Sequence, residues 1–223
     1  MNELYIYHHL GLGDHLICNA IVRKYSKLYN KIYLFVKNHN LSSVNFMYRD
    51  LKNISYIVGD DYYAQNYITN NKITNILIVG FSDFKNMNIN FDEYFYTQAK
   101  LNFENKWSDF YIERNILSEK NLFDSLKLEK NKYIFVHDDE SRGYIINDNL
   151  LPEGIKIIKP DIKLNNNFFD YIYTIENAKE IHCIDSSYLN LIDLLKIKND
   201  LNFYKNRREN ELTPILKLNW KIK

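Results

Sequence analysis

Tyr5-Ile-Tyr-His-His-Leu-Gly-Leu-Gly-Asp-His-Leu-Ile-Cys-Asn-Ala-Ile-Val-Arg23 decides the fold. A short apolar run, Leu4 to Tyr7, meets a glycine pair at Gly11 and Gly13, and Asp14 and His15 follow at once. Leu16, Ile17, Ala20, Ile21 and Leu28 then recur at helical spacing. Strand, tight glycine turn and helix, in that order, is how a nucleotide-binding α/β domain begins. Glycines let backbone come close to a ligand, and a helix start offers free N–H groups to an anion. Any chemistry is expected here first.

The alternation continues outward from that stretch. Lys31 to Val36, Ile54 to Val58 and Asn75 to Gly80 read as further strands, with helical segments at 41–50, 62–70 and 91–100 between and after them. Residues 103–114 are irregular and aromatic, and Ser118 is expected to cap a helix over 118–128. The pattern then restarts: strands at Tyr133 to His137, Ile155 to Ile158 and Glu180 to Ile184, and helices at 168–177 and 188–195. Short apolar strands alternating with helices argue for parallel sheets, with ligands at the carboxyl ends of the strands. Two α/β halves result, at 1–117 and 118–206, and a crevice between them is the default site. Leu212, Ile215, Leu216 and Trp220 form a helical stripe interrupted by Pro214, so 207–223 is expected as a helix packing back across the body.

Composition narrows the function. The 223 residues are 46% hydrophobic and 26% charged, ordinary for a soluble globular protein, and either one large or two small cores are within reach. A net charge of +1 gives no global attraction to nucleic acid or an anionic membrane, so any anion site is local. No apolar run approaches the roughly 20 residues of a transmembrane helix, and the N-terminus lacks the features of a signal peptide. Cys18 and Cys183 lie far apart without a CxxC partner; both are expected as free thiols in a reducing cytoplasm. The Asn, Lys, Ile and Tyr abundance has a bland explanation in an AT-rich genome. Most of the 19 tyrosines are expected as core and groove-lining residues; a sugar-binding surface would use them too, and their number does not decide it.

Three constellations carry chemistry. Gly11-Leu-Gly13-Asp14 falls short of the dinucleotide fingerprint, because Leu16 stands at the third glycine position and no acidic residue ends the second strand. Asp14 either caps the helix or takes a proton from a nucleophilic hydroxyl; His15 either donates to a phosphate or serves as the base instead. In His137-Asp-Asp-Glu-Ser-Arg-Gly143, Arg142 is the one cation of an acidic loop. It either grips a phosphate through its planar fork or pairs with Asp138 or Glu140. The three adjacent acids follow no Ca or Mg loop spacing. His182-Cys-Ile-Asp185-Ser186-Ser187 reaches a strand-to-helix junction, where two hydroxyls and free N–H groups form either an ordinary cap or an anion cradle. His8, His9 and His182 read as structural histidines. The Walker pattern GxxxxGK[ST] is absent.

Taken together these segments resemble a family. Gly11-Leu-Gly-Asp-His-Leu-Ile-Cys-Asn-Ala20 looks like the first motif of heptosyltransferase-type GT-B glycosyltransferases and their small relatives in bacteria, phages and giant viruses. Cys183-Ile-Asp-Ser-Ser-Tyr-Leu-Asn190 resembles that family's late Asp-Thr/Ser-Gly/Ser motif, which holds the donor diphosphate. Phe91-Asp-Glu-Tyr-Phe-Tyr96, Trp107-Ser-Asp-Phe-Tyr111 and His137 to Gly143 look like the small relatives in particular.

The resemblance implies a GT-B fold: two Rossmann-like parallel-sheet domains facing across a cleft, with the acceptor on the N-terminal one, the nucleotide-sugar on the C-terminal one, and a last helix crossing back. It matches Asp14 to the catalytic base, with His15 beside it. It matches Asp185, Ser186 and Ser187 to the diphosphate motif, joined in the donor site by His137, Arg142, Gly11 and Gly13. Asn190 stands where relatives often carry histidine, and no lysine follows the middle strand as in the larger enzymes, so Arg142 is left to neutralise the leaving group. The expectation is a metal-independent, cofactor-free transferase of glycan biosynthesis that moves a sugar from a nucleotide-sugar to a saccharide hydroxyl. A homodimer is compatible with the sequence. The alternatives are a non-catalytic nucleotide- or glycan-binding relative, a structural assembly protein and, more weakly, a phosphotransfer enzyme.

Overall fold

The computed structural model describes residues 2–81, 89–161, 167–205 and 213–223. The chain divides into two units between Glu113 and Arg114, a few residues before the expected boundary at 117/118. Side chains at the junction give the reason. The buried Arg23 guanidinium donates to both Asp50 carboxylate oxygens at 2.8 and 2.9 Å and to the carbonyls of Met47 (2.9 Å) and Tyr111 (2.8 Å). Arg49 reaches the Glu113 carbonyl at 2.8 Å. Residues 111–113 therefore belong to the first unit. Arg114 instead forks onto Glu119 and Glu176 of the second.

The first unit runs β1 (Glu3–Tyr7), α1 (Leu12–Ile17), α2 (Asn19–Ser26), β2 (Lys31–Val36), a 3-10 turn into α3 (Leu41–Met47), β3 (Ile54–Val58), α4 (Asp61–Asn70), β4 (Ile76–Ile78), α5 (Phe91–Gln98) and α6 (Asn105–Ser108). Its strands pair in the order β3-β2-β1-β4, all parallel. Alternation within the strands feeds both faces. Tyr5, Tyr7, Tyr33 and Phe35 pack toward Ala64, Tyr67 and Ile68 of α4. On the other side Ile17, Cys18, Ala20 and Ile21 pack with Val79, Phe95, Tyr96 and Ala99. The single helix expected after the glycine turn is two, divided at Cys18 (φ −82°, ψ 2°). The two aromatic segments quoted above meet in the core: Asp92 of α5 binds Lys106 of α6 at 2.7 Å in a fully buried ion pair, with Trp107 packed against the ammonium. Such a pair is strongly destabilised when one partner is removed.

The second unit runs α7 (Ile116–Ser125), β5 (Tyr133–His137), β6 (Lys156–Ile158), a 3-10 turn into α8 (Ile172–Glu176), β7 (Glu180–Ile184), α9 (Ser187–Leu194), β8 (Asp200–Tyr204) and β9 (Lys221–Ile222). Its parallel order is β6-β5-β7-β8-β9. β5 is apolar from Tyr133 to Val136 because both of its faces are covered, as parallel sheets require. Both units are thus parallel-sheet α/β, the expected class. Asn115, not Ser118, caps α7: its side chain accepts the Ser118 N–H at 3.2 Å.

The helix expected over 207–223 is absent from the part that is described. Residues 213–223 run without helix and end in β9 beside β8; residues 206–212 lie outside the described set. Physically, the tail's N–H groups find a side chain in place of i−4 carbonyls. The buried Asp193 carboxylate of α9 accepts Lys217 N (3.0 Å), Leu218 N (2.9 Å) and Trp220 Nε1 (3.2 Å).

Candidate functional site

Each sheet has one place where the strand order reverses, and ligands of open α/β sheets bind outside the carboxyl ends there. In the first unit that place is between β1 and β4; in the second it is between β5 and β7. The residues singled out from sequence fall at these two edges, and each edge is described by itself.

At the first edge Gly11 is the N-cap of α1, with φ −72°. That angle suits any residue, so the need for glycine is one of space. A Cβ on Gly11 would lie 2.6 Å from Asp14 Oδ2. Asp14, in the first turn of α1, therefore folds its carboxylate back over the helix start, where the dipole favours negative charge. Gly13 lies half-buried in the same turn.

His15 turns the other way, which corrects its assignment as base or phosphate donor. It is fully buried, its ring edge-on to His8 at 4.4 Å between centroids, and neither of its nitrogens has a partner among the described residues. Burial holds its pKa well below the usual histidine value and pulls that of His8 down to about 4. Both rings are neutral core groups at pH 7. Cys18 is buried as well; burial, then the Asp14 charge, pushes its thiol pKa up, so it is an inert thiol. Cys183 is likewise free and buried.

The second edge joins two of the sequence constellations. His137 ends β5, and its Nδ1 hydrogen-bonds Ser186 Oγ at 2.9 Å. Ser186 is the N-cap of α9; its Oγ also accepts Leu189 N at 3.4 Å, and its carbonyl accepts Asn190 N at 3.3 Å and Asn190 Nδ2 at 3.2 Å. Asn190, at the position where relatives often have histidine, thus pins the helix start. The Tyr188 ring packs on His137 with centroids 4.7 Å apart. Asp185, Ser186 and Ser187 are half-buried around this N-terminus. Burial pulls the His137 pKa down to about 4. The Asp138 and Asp139 carboxylates oppose that, and the charges of Arg142 and Lys159 add to it. His137 is therefore a neutral hydrogen-bonding group at pH 7.

The acidic loop after β5 is held by its own cations. Arg142 pairs with Asp139, not with Asp138 or Glu140, and stays more than half exposed in a loop closed by Gly143 at φ +75°. Asp138 and Glu140 go to Lys159, at 2.8 and 3.4 Å. Burial lowers the Lys159 pKa, but the two carboxylates more than reverse it, so the ammonium is secured. Lys159 is the residue that motif reading missed. The available signal was positional: a cation directly after β6, the strand paired with β5. Among the described residues no three His, Cys, Asp or Glu side chains gather as a metal-binding set.

The second edge can hold an anion. It combines a helix N-terminus, two serines, a neutral imidazole, and an ammonium and a guanidinium within electrostatic reach of that imidazole. The first edge offers a carboxylate on a helix start.

Neither a family model nor a curated protein matches this chain. Among solved structures it is similar to ADP-heptose LPS heptosyltransferase II from E. coli, at 9% identity and a TM-score of 0.49, over 100% of this chain and 90% of that one.

Proposed function

We propose that this protein is a metal-independent glycosyltransferase that moves a sugar from a nucleotide-sugar to a hydroxyl of a saccharide acceptor. One observation carries the proposal: the His137–Ser186 hydrogen bond at the switch point of the second sheet. It links the first strand of that unit to the start of α9, and the charges of Lys159 and Arg142 act on the His137 ring. A diphosphate fits that chemistry, and the motif resemblance of Asp185 to Ser187 points the same way.

In the proposed reaction the acceptor oxygen forms a bond to the anomeric carbon as the bond from that carbon to the diphosphate breaks. The acceptor proton goes to the Asp14 carboxylate as general base. The electron pair leaves with the nucleoside diphosphate, whose charge is met by Ser186, Ser187, His137, the α9 N-terminus, Lys159 and Arg142. The chain's own cations do the work that a metal does elsewhere.

The test has two arms. Nucleoside diphosphates should raise the melting temperature; at a hundredfold excess over Kd the stabilisation is about 2.7 kcal/mol. No stabilisation by any of them removes the transferase assignment. Asp14→Asn should abolish transfer and leave that stabilisation unchanged, and transfer should persist in EDTA. Full transfer by Asp14→Asn would make Asp14 a helix cap and nothing more.

A further inference from the structure

The first edge carries a second feature that the proposed reaction does not use. Four rings lie in a row there. Phe81, just past β4, is stacked on one side against Tyr7 (centroids 4.4 Å apart, planes 25°) and on the other against His9 (4.6 Å, 18°). His9 in turn stacks toward Phe95 at 5.9 Å. Tyr7 and Phe95 are core residues, whereas Phe81 is 40% exposed and His9 is exposed.

The surroundings are built around that ring. Gly80, immediately before it, has φ +95°, and a Cβ there would strike the His9 ring at 2.6 Å. Both polar groups of Gly80 are pinned by side chains: its carbonyl by His9 Nε2 at 2.7 Å and its N–H by Gln98 Oε1 at 2.7 Å. The backbone before Phe81 is thus fixed, and so is the His9 wall. Beside the stack Tyr7 Oη donates to Asp61 Oδ1 at 3.2 Å, and Lys37 Nζ holds Asp61 Oδ2 at 2.9 Å. Lys37 and Asp61 are both partly exposed. Removing the Phe81 ring would leave Tyr7 and His9 two stacking distances apart, the gap that takes one ring.

We propose that the space between Tyr7 and His9 is a ring-binding slot that Phe81 fills in this state, and that its ligand is a neutral pyranose ring. The apolar faces of a pyranose suit two aromatic walls, and its ring hydroxyls suit a carboxylate–ammonium pair at the rim. Lys37 is held by Asp61, so the rim favours hydroxyls over phosphate. On the transferase assignment, on which this step rests for its biological meaning, the ring is the acceptor's.

Ligand-observed NMR on the full chain tests the slot, with methyl β-D-glucopyranoside as probe and uridine as the nucleobase control. Phe81→Ala should bind the glycoside about tenfold more tightly than the unsubstituted protein, since no side chain must leave first. His9→Ala or Asp61→Asn added to Phe81→Ala should abolish the gain. Phe81→Leu, which keeps apolar bulk, should give a smaller gain and guards against a folding artefact. Equal glycoside binding by Phe81→Ala and the unsubstituted protein overturns the slot. A gain for uridine but not for the glycoside overturns the saccharide assignment. Nucleoside diphosphate stabilisation of the same variants reports on the transferase assignment separately, because Phe81 lies in the first unit and the diphosphate cradle in the second.

Discussion

Acid should unfold the first unit through His8 and His15, and the size of the effect can be worked out. Both rings are fully buried, and among the described residues three of their four nitrogens have no partner. Their folded pKa values lie below the usual 6.5 because burial disfavours the imidazolium. As pH falls, the unfolded chain takes up protons first. Stability is therefore complete above about pH 6.5 and is lost as pH falls toward the folded pKa. For His8, with a folded value of about 4, the loss is about 2 kcal/mol by about pH 5 and approaches about 3 kcal/mol below about pH 4. His15 adds a loss of the same sign. Urea midpoints at about pH 7.5 and about pH 5 measure it. Trp107 lies in the first unit and Trp220 in the second, so a Trp220→Phe background makes tryptophan fluorescence report on the first unit alone. His8→Leu and His15→Leu should each flatten the pH dependence, and His15→Leu should leave diphosphate binding intact. An unchanged pH slope in both variants, or an imidazole of either residue titrating near 6.5 by NMR, would refute the account of His15 as a buried neutral ring.

Three further outcomes are expected. Gly11→Ala keeps an allowed backbone, but its Cβ would sit 2.6 Å from Asp14 Oδ2; the carboxylate must rotate, so transfer should fall about a hundredfold with little change in melting temperature, and unimpaired transfer would remove Asp14 from the chemistry. Lys159→Ala should weaken nucleoside diphosphate binding about tenfold, measured by calorimetry, and Arg142→Ala by clearly less, because Arg142 is the more exposed of the two; the reverse order would make Arg142 the principal cation. Asp193→Ala strips three N–H donors of their acceptor and should destabilise the second unit by about 3 kcal/mol or more, exposing the tail to trypsin at Lys217; a tail that stays resistant is held by something else.

Much of the fold was legible because most of the parallel strands read as apolar, β-branched and aromatic runs. Lys31 to Val36, Ile54 to Val58, Tyr133 to His137 and Glu180 to Ile184 coincide with β2, β3, β5 and β7. β8 escaped because Asn202 interrupts Asp200-Leu-Asn-Phe-Tyr204, and its side chain is buried against the Ile181 carbonyl rather than solvated. The tail's Leu212, Ile215, Leu216 and Trp220 have helical spacing, while the feature that decides its path, Asp193, belongs to another helix. His15 is hidden from motif reading for a related reason: at a helix start, a one-residue step from Asp14 turns a side chain from the edge into the core. Sequence spacing fixes which residues are near a turn; it does not fix which side of the helix they face.

The charge arrangement at the second edge bears on how a transferase of this kind would gain rate. Lys159 and Arg142 are already paired with Asp138, Glu140 and Asp139, and the ring hydrogen-bonded to Ser186, His137, is neutral. An intact nucleotide-sugar would therefore meet mainly hydrogen-bond donors and gain little from cations held by their own carboxylates. As the bond to the anomeric carbon breaks, the diphosphate acquires a further negative charge. Only then can it compete well with the aspartates for the two cations. Interactions that strengthen in the transition state raise turnover, whereas those equally strong in the bound donor do not. On this argument Lys159→Ala should lower kcat more than it raises KM for the donor, and Asp138→Asn, which loosens Lys159, should tighten donor binding while slowing turnover. Parallel changes in KM alone would place Lys159 among the ground-state contacts.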